Sequence, residues 1–93
     1  MGNGNPDVLR DELIENLRGE LPVLRARVRL SQENVANKIG ITRQTYSMIE
    51  NGKKKMNWTV FMALIALFQS DERTNKMLDN IPDYETLQQI LKK

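Results

Sequence analysis

The 93-residue chain has no cysteine and no histidine. Their absence excludes disulfides, Cys/His zinc sites, imidazole bases and thiol nucleophiles, which removes the reagents of most catalytic and metal chemistry. An enzyme is therefore not expected, and no cofactor is implied. Apolar runs of about 18 residues are also missing, as is a charged-then-apolar leader, so the expectation is a soluble cytoplasmic protein with no membrane segment. The length suits one domain with a single core, too small to spare much of it for a buried catalytic cavity. Scattered carboxylates such as Asp11, Glu12 and Glu15 read as a solvated helix face.

An excess of charge is nearly absent too, at +2 overall, but its distribution is uneven. Residues 21–55 hold Arg25, Arg27, Arg29, Lys38, Arg43, Lys53, Lys54 and Lys55 against Glu33 and Glu50, a local balance of +6 that leaves −4 for the rest. A basic centre between acidic ends fits a surface that faces phosphates, flanked by segments that do not. Taken alone, such a run is more often a solvated surface. Its coincidence with the pattern described next favours the phosphate-facing reading.

That pattern is the stretch from Ser31 to Gly52, which reads as two short helices meeting at Gly40. Ser31 is placed to cap the first, with Asn34 where a capping box has Glu or Gln, and Val35, Ala36 and Ile39 recur at helical spacing. Thr42 caps the second, which runs through Glu50 and stops at Asn51-Gly52. Two helices joined by a turn of about three or four residues at a glycine form a helix-turn-helix unit. At about 100° per residue, Thr42, Tyr46 and Ile49 share one face of the second helix, expected to pack inward. Arg43, Gln44, Ser47 and, near the boundary, Met48 lie opposite, with Thr45 at the flank. Arg and Gln carry the paired donor and acceptor geometry that reads guanine and adenine edges, and the start of such a helix is the part that reaches bases.

Around this unit the chain reads as further helices. Asp7 to Arg18 is amphipathic through Val8, Leu9, Leu13, Ile14 and Leu17, with Gly19 placed to end it. Leu21, Leu24 and Val28 then recur at helical spacing, and Pro22 suits only the first turn of a new helix, so two separate helices are expected before Leu30. Lys53-Lys54-Lys55 is a basic loop in position to meet backbone phosphates. Asn57 caps an apolar helix whose Trp58, Phe61, Leu64, Ile65 and Phe68 make the central core face. The back of that helix is small and uncharged, at Thr59, Ala63, Ala66 and Ser70, which calls for a cover: the N-terminal helix folding back, slightly favoured, or a second subunit. Asp71 to Asp79 reads as another helix start burying Met77, Leu78 and Ile81. After Pro82, Asp83 caps a last helix with an apolar stripe of Tyr84, Leu87, Ile90 and Leu91, serving the core or a dimer contact, and Lys92-Lys93 complement its end.

Read as a whole, Leu21 to Lys55 resembles the Cro/CI-type helix-turn-helix of the XRE family. The specific elements are Leu30-Ser31-Gln32-Glu33, Ala36, Ile39-Gly40-Ile41-Thr42 and Ile49-Glu50-Asn51-Gly52-Lys53. The resemblance implies an all-α, lambda-repressor-like five-helix domain over residues 20–70. A flexible start at 1–6, an additional helix at 7–19 and C-terminal helices at 71–93 lie outside it. It further implies operator DNA as partner, bound as a homodimer, with Arg43, Gln44, Ser47 and Met48 at bases. Gln32, Thr42, Thr45 and Asn51 would sit at phosphates beside Lys53, Lys54 and Lys55, Gln32 also bracing Arg43, and Glu50 would be structural. Arg29 departs from the small or glycine residue common in the preceding turn, Met56 from a frequent proline, and Met48 is a poor hydrogen-bonding reader. The function expected is a sequence-specific transcriptional regulator, a repressor foremost; the alternative is an antitoxin or antirepressor-type interaction module with a toxin or regulator as protein partner.

Overall fold

The computed structural model describes residues 6–91, and all regular structure among them is helical. Lys92-Lys93 and nearly all of the expected flexible start lie outside the described residues, as does the side chain of Ile90. In chain order the elements are α1 (Pro6–Val28), α2 (Gln32–Ile39), α3 (Arg43–Glu50), α4 (Trp58–Gln69), a 3-10 turn (Met77–Asn80) and α5 (Tyr84–Leu91).

The two helices expected before Leu30 are one helix of 23 residues that carries Pro22 inside it. A proline there removes one backbone hydrogen bond and crowds the preceding turn, a local cost of about 3 kcal/mol. Packing overrides it. Leu13, Leu17, Leu21, Leu24 and Val28 step by three or four residues along a single stripe, and all are buried. Gly19 and Pro22 both fall on the exposed side, where neither interrupts the stripe. The helix then ends at Arg29, whose φ of 58° is left-handed, so the residue that departs from the small-or-glycine pattern carries strain. Side chains pay roughly 1–2 kcal/mol in that region. Arg29→Gly is accordingly expected to raise stability by about 1 kcal/mol, read as a Tm increase of about 4–8 °C in a thermal melt.

Caps set the other boundaries as the sequence indicates. Ser31 and Asn34 form a reciprocal capping box at the start of α2, and Gly40, at φ 85°, closes it. Thr42 and Asn57 accept from Thr45 N–H and Val60 N–H at the starts of α3 and α4. α2 packs on α3, and α1 touches both α3 and α4, so the inward faces of four helices merge in one core around Tyr46, Phe61, Leu64 and Phe68. Met56, which stands where the family it resembles often has proline, is 1% exposed and joins that core.

Four expectations are corrected. Trp58 is only half-buried: its ring stacks on Phe61 at 4.6 Å, and the Arg10 guanidinium carbon lies 4.9 Å from its centroid. The N-terminal helix does not cover the small face of α4, since its apolar stripe goes to the core that the large residues build; Thr59, Ala66 and Ser70 remain exposed and Ala63 half-buried. Residues 71–79 do not make a helix before the 3-10 turn. Asp71 accepts from the Arg73 backbone N–H and guanidinium, which pulls its pKa down to about 2, and the buried Thr74 hydroxyl donates to Phe68 O at 2.6 Å. Such side-chain bonds offer the backbone an alternative to the helix. Finally, Asp83 has φ 68° rather than the extended conformation of an N-cap. In α5, Tyr84 and Leu87 serve the core, whereas Leu91 is exposed.

Candidate nucleic-acid interface

α3 is held from below by a hydrogen-bonded cluster centred on Glu50. Arg25, on α1, forks onto it with Nε 2.8 Å from Oε1 and Nη2 2.8 Å from Oε2. The Tyr46 hydroxyl donates to Oε1 at 2.7 Å, and the Gln32 amide donates to Oε2 at 3.2 Å. Arg25 also reaches Leu30 O at 3.1 Å, so one guanidinium ties the end of α1 to the turn before α2 and to the end of α3. The Glu50 side chain is 6% exposed. Burial alone would push its pKa up, but the hydrogen bonds from Arg25, Tyr46 and Gln32 outweigh it and hold the carboxyl below the usual range. Burial, with the bond to Glu50 behind it, pushes the Tyr46 phenol up, so it stays a donor.

Arg25 was counted among the basic residues of the phosphate-facing centre; the fold assigns it instead to this cluster. Gln32 likewise turns its amide nitrogen towards Glu50. The sequence carried a partial signal for the pair: Tyr46 and Glu50 lie four apart on α3, and Glu50 is that helix's sole carboxylate. Nothing local indicated that Arg25, 25 positions away, is their partner.

Above this anchor, Tyr46 and Ile49 are buried, as their spacing predicts, while Arg43 and Gln44 are exposed and Ser47 and Met48 half-exposed. Thr42 is outside rather than on the packed face. It caps α3 and donates to the Thr45 hydroxyl at 2.9 Å. Arg43, Gln44, Ser47, Met48, Asn51 and Lys53 together line one open groove of about 440 Å³. Gly52, at φ 79°, lets the chain turn, and the Lys53 and Lys54 amides both donate to Met48 O, which clamps the basic loop against the end of α3. Lys53 and Lys54 are exposed there. Lys55 is not among the residues lining that groove and forms an ion pair with Asp11 of α1 at 3.0 Å. Lys38 lines a different groove, beside Asp71 and Arg73.

A scan against protein families matches a helix-turn-helix domain over residues 16–74, well over half of the chain. The chain belongs to the helix-turn-helix domain family. No curated protein and no solved structure matches it. The matched span runs from within α1 to Thr74, so it takes in the α2–α3 unit, the Glu50 cluster and all of α4. Membership in the helix-turn-helix family supports DNA as partner and a DNA-binding regulator as the role. Among the described residues, no helix is long and apolar enough to cross a membrane.

Proposed function

We propose that the protein is a sequence-specific transcriptional regulator, a cytoplasmic repressor of the Cro/CI type with a lambda-repressor-like arrangement and no catalytic role, that enters the major groove with α3 as a homodimer on paired half-sites. The observation that carries this is the division of α3: one side is buried and locked through Glu50, and the other presents Arg43, Gln44, Ser47 and Met48 in one groove. Arg43 and Gln44 are the first two residues of the helix, the part that reaches base edges in this geometry. In this reading Thr42, Thr45, Asn51, Lys53, Lys54 and Lys55 hold phosphates. Gln32 does so only by leaving or sharing its bond to Glu50.

Selection of binding sites from random duplexes tests the proposal. It is expected to return a motif, and Gln44→Ala should relax the preference at one base position, at a loss of about 1–3 kcal/mol on the selected site. Equal binding to every duplex with no motif would sink the specificity claim. A second reading, an antitoxin or antirepressor-type module, draws on the exposed small face of α4 at Thr59, Ala66 and Ser70. Co-purification of one stoichiometric protein partner from the native host favours it.

A further inference from the structure

The first half of α1 lies beside the loop that follows α3, and charges alternate across the seam. The Lys55 ammonium sits 3.0 Å from the Asp11 carboxylate, 44 positions away in sequence and carried by a different element. One turn further along α1, Glu15 pairs with Arg18 at 2.7 Å. The Arg18 guanidinium in turn covers Gly52, where a Cβ would stand 3.4 Å from Nη1. Glu15 is held below the ordinary carboxylate range chiefly by its hydrogen bond from Arg18, with the charge of Lys55 adding to it. Two carboxylates of α1 thus face two cations next to the turn that opens the basic loop.

Resting on the DNA-binding reading above, we propose that Asp11 is an intramolecular competitor for duplex phosphates: its carboxylate occupies the Lys55 ammonium and so limits sequence-independent binding. A phosphate must displace Asp11 to claim Lys55, or else accept the cation with an anion already beside it. Either route subtracts from the electrostatic part of binding, which is the part common to all sequences. Base contacts made by Arg43 and Gln44 lie in the separate groove of α3 and are not taxed in this way. The net effect is to lower affinity for operator and bulk DNA alike, which leaves discrimination between them to the base contacts of α3. Because the Asp11 and Lys55 side chains are 57% and 70% exposed, the pair is a weak one, and the competition is a trim and not a lock.

The test measures affinity for a duplex of scrambled sequence over a series of salt concentrations, with native protein, Asp11→Asn, Lys55→Gln and the double variant. Asp11→Asn is expected to bind about three- to fivefold more tightly at low salt, the size an exposed ion pair allows. Its salt dependence should also steepen. Lys55→Gln should bind more weakly, with a slope shallower by up to about 0.9. In the Lys55→Gln background, Asp11→Asn should gain less than half of what it gains in the native chain. An equal gain in both backgrounds means that Asp11 repels DNA generally and overturns the competition. So does a loss of affinity in Asp11→Asn, which would make the carboxylate a support that aims Lys55 at phosphate. Native protein that binds no duplex at all defeats the DNA-binding reading itself, a result distinct from native binding that Asp11→Asn leaves unchanged. Both substitutions are at exposed positions, and a melting curve for each variant separates binding from folding.

Discussion

Glu50→Ala should lower the unfolding free energy by about 3 kcal/mol, and the Tm by about 12 °C or more, although no apolar core atom other than the side chain's own stem is lost. Removing the carboxylate leaves the Arg25 fork, the Tyr46 hydroxyl and the Gln32 amide without their shared acceptor. Tyr46 is 0% exposed, so its hydroxyl has no water to turn to. Glu50→Gln keeps the shape and one acceptor oxygen, and should cost less. The pH dependence separates charge from shape. The folded carboxyl titrates below the ordinary 4.5 of the unfolded chain, so its contribution is complete above about pH 4.5 and is lost as the pH falls through the depressed folded value. The native protein therefore has an acid limb of stability below pH 4.5, part of which Glu50→Gln removes. Denaturant melts between pH 3 and pH 7 read the difference, and parallel curves for native and Glu50→Gln would show that the carboxylate charge contributes nothing.

The consequence for function runs through α3. Arg25 joins the last turns of α1 to the end of α3, and Gln32 joins the first turn of α2 to the same carboxylate. The outward groove is thus oriented by a polar anchor as well as by Tyr46 and Ile49. A variant that loosened this anchor without unfolding the chain would blur the position of Arg43 and Gln44 while leaving both present.

What the sequence made legible was what is local. Ser31, Thr42 and Asn57 cap helices because a short oxygen side chain can reach an N–H three residues on, and Gly40 and Gly52 take the left-handed turns that glycine adopts freely. The period of Tyr46 and Ile49 was enough to say which side of α3 faces out. Where distant parts of the chain decide, the residues alone were insufficient. Pro22 signals a helix start, yet the buried stripe from Leu13 to Val28 carries α1 straight through it. Helical spacing separates the face of Arg25 from that of Arg27, but only the fold brings Glu50 to Arg25 and leaves Arg27 exposed. Asp71 and Thr74 look like the first turn of a helix, but Thr74 bonds back to α4 and Asp71 to Arg73, an arrangement that needs α4 already in place. Within the candidate interface, the groove residues of α3 were legible because they share one short helix, whereas the pairing of Lys55 with Asp11 depended on where α1 was laid down.

Arg43→Lys and Arg43→Ala should part company on a selected duplex, and their difference decides whether this side chain reads bases or only supplies charge. Both lose the planar fork that meets O6 and N7 of guanine; only the lysine retains the positive charge. If Arg43 reads a base, each variant should lose about 1–3 kcal/mol on the selected site, roughly 5- to 150-fold in Kd, with the lysine nearly as weak as the alanine. On a scrambled duplex the lysine should bind as the native protein does, and the alanine should weaken modestly while its salt dependence becomes shallower by about 0.9. Combining Arg43→Ala with Gln44→Ala should bring the selected duplex down to the scrambled one, a smaller fall than two independent losses, because the two residues are neighbours on one turn of α3. Fluorescence anisotropy on both duplexes at two salt concentrations gives all of these values. Arg43→Lys binding the selected site as tightly as native protein would move Arg43 from base to phosphate, and would leave Gln44 as the principal reader in the groove.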